Sequence, residues 1–208
     1  MFDDSTLVED RIERLHERLG KELFRVLAPV QVTAWKAPGE PVDFATAAKA
    51  GYDPIASGDR WGPAWSTWWF KLSGTVPAEV KSERVQLRVD LGFEGDWAGN
   101  QSEGLAYTTS GTPLKGVNPM NRLIPLTGKG LPETIAKAGE SLLDENGNVD
   151  LFIEAGANPN MGDYMNNPTD LGDLSTRPDK PVWTFGGADL VVRNESVWHL
   201  WLDVEVLW

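Results

Sequence analysis

The sequence predicts an all-β fold: an antiparallel β-sandwich with an N-terminal helical arm and a C-terminal helix that is cut short. Three observations predict it. Six short runs rich in β-branched and aromatic residues are separated by Gly, Pro, Asn and Asp clusters that supply turn geometry. Most of these runs are not separated by helices of crossover length, as parallel pairing would require. Hydrophobic residues make up 41% of the 208-residue chain, an ordinary proportion for a globular core.

The elements follow in chain order. Residues 5–27 read as a helix, because Val8, Ile12, Leu15, Leu19 and Leu23 recur every three or four positions. Thr6 and Glu9 have capping-box spacing, and Asp10 and Arg14 lie at i, i+4. The arm is assigned residues 1–28. From 29 to 60 the pattern dissolves into Pro, Gly and Ala, which reads as an extended wrap with a short helix at 44–49. The β runs are 65–76, 84–91, 104–109, 121–126, 148–155 and 184–192. Val85, Leu87 and Val89 alternate with Gln86, Arg88 and Asp90, the pattern of one buried face. The sandwich domain is assigned residues 29–193. An irregular stretch at 161–181 has the length of a functional loop. After Asn194, a candidate N-cap, Val197, Trp201, Val204 and Trp208 fall on one helical stripe, although residues 200–208 also satisfy period two. That stripe is the candidate domain interface. An end inside an apolar run, without cap or polar tail, is the expected mark of a piece of a longer protein, with 194–208 starting a linker helix.

Composition narrows the partners. A net charge of −12, from 31 acidic and 19 basic side chains, repels phosphate backbones and anionic lipid, so nucleic acid and membranes are excluded as partners. Neutral sugars stay open, because carboxylates and aromatic faces recognise them irrespective of net charge. The chain has no cysteine, which removes disulfides and thiolate chemistry and fits a reducing compartment. The start, MFDDSTLVED, lacks a secretory pattern, and the aromatic run from Trp65 to Phe70 is far too short to span a bilayer. A cytoplasmic location is expected.

Catalytic constellations are sparse. A triad or a zinc site needs histidines, yet the chain has only His16 and His199. The glycines at 92, 95, 99 and 104 precede no phosphate-loop lysine. Glu94, Asp96 and Glu103 cluster in a Gly-rich segment, and glycosidases need two facing acids, but clusters of acids arise by chance in so acidic a chain. The milder reading of the same segment is sugar contact: Trp97 offers a ring face while Glu94, Asn100 and Gln101 bond hydroxyls. Its alternative is that Trp97 packs its loop onto the sandwich. Asn158 is either a turn former or a ligand-facing amide at the rim. If 65–76 is one strand, Trp65 and Trp69 share a face and Trp68 takes the other, so at least two belong to the core.

The run Arg60-Trp61-Gly62-Pro63-Ala64-Trp65-Ser66-Thr67-Trp68-Trp69-Phe70 resembles the WGP-x-WST-x-W signature of the N-terminal domain of cytosolic and bacterial family 38 α-mannosidases. Arg84 to Asp90, Glu94-Gly95 with Gln101 to Leu105, Asn121 to Leu126, Leu151 to Asn158 with Gly162, and Asp189 to Leu207 are similar to later family segments in order and spacing. The chain departs from the pattern by an inserted Ser102-Glu103. The resemblance implies a jelly-roll-like sandwich that is itself non-catalytic, packs on the catalytic domain of the same chain and serves subunit assembly. It also implies hydrolysis of α-linked mannose in glycans by a zinc ion that sits in that other domain, so no cofactor and no catalytic residue is expected on this chain. A homo-oligomer and a mannose-containing glycan are the further expected partners, the latter by way of a carbohydrate-binding surface at Trp97.

Overall fold

The computed structural model describes residues 4–80, 84–95, 97, 99, 101–127, 131, 142–159 and 180–207. In chain order the elements are α1 (Ser5–Glu22), β1 (Phe24–Pro29), β2 (Gln31–Lys36), α2 (Phe44–Ala47), β3 (Asp53–Pro54), β4 (Arg60–Trp61), β5 (Ser66–Thr75), β6 (Val85–Asp90), β7 (Glu103–Thr108), β8 (Pro113–Val117), β9 (Leu123–Pro125), β10 (Asn148–Ala157), β11 (Trp183–Thr184), β12 (Gly187–Arg193) and α3 (Glu195–Leu207). The strands form a four-stranded sheet, β1-β12-β6-β9, a six-stranded sheet, β3-β2-β5-β10-β7-β8, and the small pair β11-β4. Every pairing is antiparallel.

The two larger sheets are layered because each carries one apolar face. Val85, Leu87 and Val89 of β6 and Leu190 and Val192 of β12 meet Phe70 and Leu72 of β5 and Leu151, Ile153 and Ala155 of β10 in one buried cluster. Six-stranded register fixes this: Ile153 lies opposite both Phe70 and Ala106, so one pleat face runs unbroken across three strands. Trp61 is fully buried in this core and crosses Phe70 edge-on at 5.2 Å. At the open edge Lys115 of β8 reaches across to donate to the Leu123 carbonyl of β9 at 2.8 Å, tying one sheet to the other.

All six expected β runs are present, but three expectations need correction. The N-terminal helix stops at Glu22, and Phe24–Pro29 is a strand that pairs with β12. Residues 24–28 therefore belong to the sandwich, not to the arm. The 29–60 stretch is more than a wrap: β2 is an interior strand of the six-stranded sheet, flanked by β3 and β5. The capping box is not made, since Asp4 precedes the helix without a side-chain cap bond. Asp10 and Arg14 do approach, to 3.6 Å.

The short helix α2 is capped by Asp43, whose carboxylate accepts from the Thr46 amide at 2.8 Å and is held below its ordinary value by the Thr46 side chain first and that amide second. Its role is to clip residues 42–52 onto the outer face of the six-stranded sheet. Phe44 meets Phe152 at 5.3 Å, Tyr107 at 5.8 Å and Trp69 at 6.0 Å, closing a second aromatic cluster. Trp69 thus points away from the main core and is still buried, while Trp68 turns toward the core. Trp65 shares neither arrangement. It precedes the strand at φ 63°, in a left-handed conformation that no other non-glycine among the described residues adopts.

The C-terminal run is a helix. Asn194 caps it through a 3.3 Å bond from the Val197 amide. Because β1 and β12 are antiparallel neighbours, α1 and α3 leave the same end of the sheet side by side and pack together. His16 of α1 stacks on Trp201 at 5.2 Å and meets Glu205 at 2.6 Å. Trp198 completes the row against Trp201 and Phe24. Neither helix has a buried residue.

Candidate functional site

The Gly-rich segment is the loop from β6 to β7, and local bonding shapes it. Asp90 accepts from the amides of Gly92 and Phe93 at 2.8 and 2.9 Å, an Asx turn that reverses the chain out of β6. Gly92 has φ +99°, and a Cβ there would lie 2.4 Å from the Thr184 carbonyl oxygen, so only glycine fits. Arg122 covers the turn, with its guanidinium 5.1 Å from the Phe93 ring and a 3.0 Å bond to the Gly95 carbonyl.

Gln101 organises the rest of the loop from inside. Only 7% exposed, it accepts from the Glu94 amide at 2.7 Å and donates to the carbonyls of Glu94, at 2.6 Å, and Trp97. Both of its N–H groups are committed to the loop backbone, so the hydroxyl-binding role expected of Gln101 has no free donor to draw on. Asn158 is committed in the same way. It donates to the Gln101 carbonyl at 2.9 Å and to the Glu103 carboxylate at 3.2 Å, and its backbone carbonyl accepts from the Trp183 indole at 2.8 Å. Both amides are braces, and they hold Trp97 out. Trp97 is 74% exposed, so it does not pack the loop onto the sandwich. Asn100, Asp96, Gly162 and the 161–179 part of the irregular stretch lie outside the described residues. Of the acidic trio, Glu103 is thereby a partner of Asn158, and Glu94 takes part in the Gln101 brace through its backbone.

The candidate interface stripe lies on α3, with Trp201 packed on His16 and Val197 and Val204 half-buried beside it. Trp208 lies outside the described residues. What the helix pair exposes is a different set: Leu7, Val8 and Leu15 on α1, and Leu200, Leu202, Val206 and Leu207 on α3, the last two at 84% and 86%. Sequence periodicity located the helix but could not say which face α1 would occupy. Among the described residues no three His, Cys, Asp or Glu side chains are grouped to hold a metal ion, and no helix is long and apolar enough to cross a membrane.

Residues 28–191 match the family model described as the jelly roll domain of alpha-mannosidase. Human alpha-mannosidase 2C1 is 27% identical over 191 residues, which is 89% of this chain and 16% of that protein. Two structures of Ruminococcus gnavus β-glucuronidase, in complex with C6- and N1-substituted uronic isofagomine, each cover 83% of this chain and 30% of theirs at 10% identity, with TM-scores of 0.48 and 0.47. With its antiparallel sandwich and the family match running from β1 into β12, the chain belongs to the jelly roll domain family of the α-mannosidases.

Proposed function

We propose that this chain is the non-catalytic N-terminal domain of an α-mannosidase acting on α-linked mannose in glycans, and that it works by packing against a catalytic domain of the same chain and by taking part in subunit assembly in the cytoplasm. The observation that carries this reading is the helix pair, whose seven large apolar side chains face solvent in two elements with no buried residue. The chain spans 16% of the length of its human relative, which leaves room for such a domain. The zinc ion of hydrolysis belongs to that other domain. The described side chains of this one do not fit it, lacking any group of three ligating residues.

Two measurements test the reading. The 208-residue chain with zinc ions added is expected to leave an aryl α-mannoside intact, and hydrolysis by it would overturn the assignment. In the full-length parent, Val206→Asp with Leu207→Asp is expected to expose the junction to limited proteolysis and to shift the assembly state seen by light scattering. Wild-type behaviour on both counts would remove the helix pair from the packing surface.

The exposure of Trp97 favours a second reading, glycan contact by the β6–β7 loop. A stacking ring held out by two committed amides is preorganised for a sugar face. Titrating mannose oligosaccharides against tryptophan fluorescence is expected to shift the spectrum of the wild type more than that of Trp97→Ala. Equal response in both would sink this reading.

A further inference from the structure

A pocket of about 540 Å³ opens at the edge of the sandwich, away from the β6–β7 loop, and is lined by Trp35, Lys36, Asp53, Asp59, Arg60 and Trp68. The volume is that of small-molecule sites, which run from ~300 to ~1,000 Å³. The Trp68 indole is held in place before anything binds. The Trp68 Nε1 donates to Ser66 Oγ at 3.1 Å, and the ring meets the fully buried Trp61 edge-on at 6.1 Å. Trp35 borders the pocket from β2, while its ring lies on the other face of the sheet against Tyr52, centroids 6.4 Å apart. The polar wall is fixed as well. Arg60 donates to the Pro181 carbonyl at 2.7 Å and to Thr184 Oγ1 at 3.3 Å, and Asp59 accepts from the Ala56 amide at 2.8 Å.

The charges balance, with Lys36 and Arg60 against Asp53 and Asp59. With zero net charge the pocket favours neither sign of ion by its total charge, and its charged groups form the stronger class of hydrogen bond with neutral hydroxyls. An aromatic face takes the apolar C–H side of a ring. Those requirements, an uncharged ring with one apolar face and a hydroxylated rim, are met by a hexopyranose. We infer that the Trp68 pocket is a binding site for a neutral hexopyranoside unit of a glycan. Because Trp68 belongs to the Trp61–Phe70 block, the inference gives that block a task beyond filling the core. It extends the glycan-contact reading to a separate place on the surface and is tested apart from Trp97.

The test titrates methyl α-mannoside, methyl α-glucoside and a mannose oligosaccharide into the ¹⁵N-labelled 208-residue chain. Expected are saturable shifts at Arg60, Asp53 and the indole of Trp68, with a Kd of ~1–10 mM for at least one sugar. Raising NaCl to ~0.5 M should leave that Kd within about twofold, since a neutral ligand brings no charge to screen. Trp68→Leu and, separately, the exposed Asp53→Asn should each weaken binding at least ~10-fold, and Asp53→Asn does so without touching the core. Trp97→Ala should leave it unchanged. Saturable binding lost in Trp97→Ala but kept in Trp68→Leu and Asp53→Asn would overturn the pocket and leave the loop reading standing. Strong salt dependence, or no shift with any sugar up to ~50 mM, would overturn the pocket outright.

Discussion

Trp61 shows how much one residue of the aromatic block carries. It is fully buried, and its indole donates to the Leu91 carbonyl at 2.8 Å, linking β4 to the loop after β6. Trp61→Ala is expected to cost ~3–5 kcal/mol by urea denaturation, the range for removing a large buried side chain. Trp61→Phe keeps most of the volume but leaves the Leu91 carbonyl with only the 3.4 Å bond from Ser102 Oγ, at about 1 kcal/mol. Gly92→Ala is expected to cost at least ~2 kcal/mol on the same assay, because its backbone conformation and the Thr184 carbonyl both exclude a side chain. A loss below about 0.5 kcal/mol would mean that the β6–β7 turn relaxes freely. The importance of Trp61 and Gly62 was legible in the sequence, as a motif. The left-handed backbone of Trp65 and the inward-facing amide of Gln101 were not, since they depend on the strand end at Ala157 facing Trp65 and on how the loop closes the Glu94 and Trp97 backbone around Gln101.

Among the elements, the strands easiest to read were those with one wet face. β6 alternates apolar with polar or charged residues along its whole length, although Gln86 is also buried, and so it stood out. β2 did not, because Val32 and Ala34 face the main core while Trp35 leans on the outer aromatic cluster, so both faces are partly apolar and period two is blurred. β1 was absorbed into the preceding helix because Leu19 and Leu23 continue the α1 stripe to the edge of the strand. A helix without buried residues contributes little to the sandwich. Removing residues 1–21 is therefore expected to leave the far-UV β-sheet signal intact and to shift Tm by only a few degrees, on the order of 1 kcal/mol. Loss of cooperative unfolding in that variant would show that α1 holds β1 against β12.

At the scale of the molecule, two tyrosines make stability sensitive to alkali. Burial raises the Tyr52 phenol to about 12, and burial together with the bond to Glu154 raises Tyr107 to about 12. Unfolded tyrosine titrates near 10, so between pH 10 and 12 the unfolded chain has released protons that the folded chain still holds, and stability falls as pH rises. Lys115 runs the other way, its pKa lowered by burial, but its gain is complete once pH passes the ordinary lysine value of 10.5. Thermal melting at pH 9 and pH 11.5 is expected to show the wild type losing more Tm than Tyr52→Phe or Tyr107→Phe. Equal losses would remove both phenols as the cause. The exposed apolar helix pair belongs to this scale too, because what it covers is decided by a neighbouring surface.

By itself the sequence determined the fold class, the six runs β5, β6, β7, β9, β10 and β12, the helical ends and the family, because alternation, turn residues and an aromatic block are local signals. Tertiary structure alone decided which tryptophans fill the core, that Gln101 and Asn158 are braces, that α1 covers Trp201, and that Trp68 meets Asp53 and Arg60 at one pocket. Each of these depends on strands far apart in the chain arriving at one register, and a backbone pairing of that kind leaves no trace in any short window of residues.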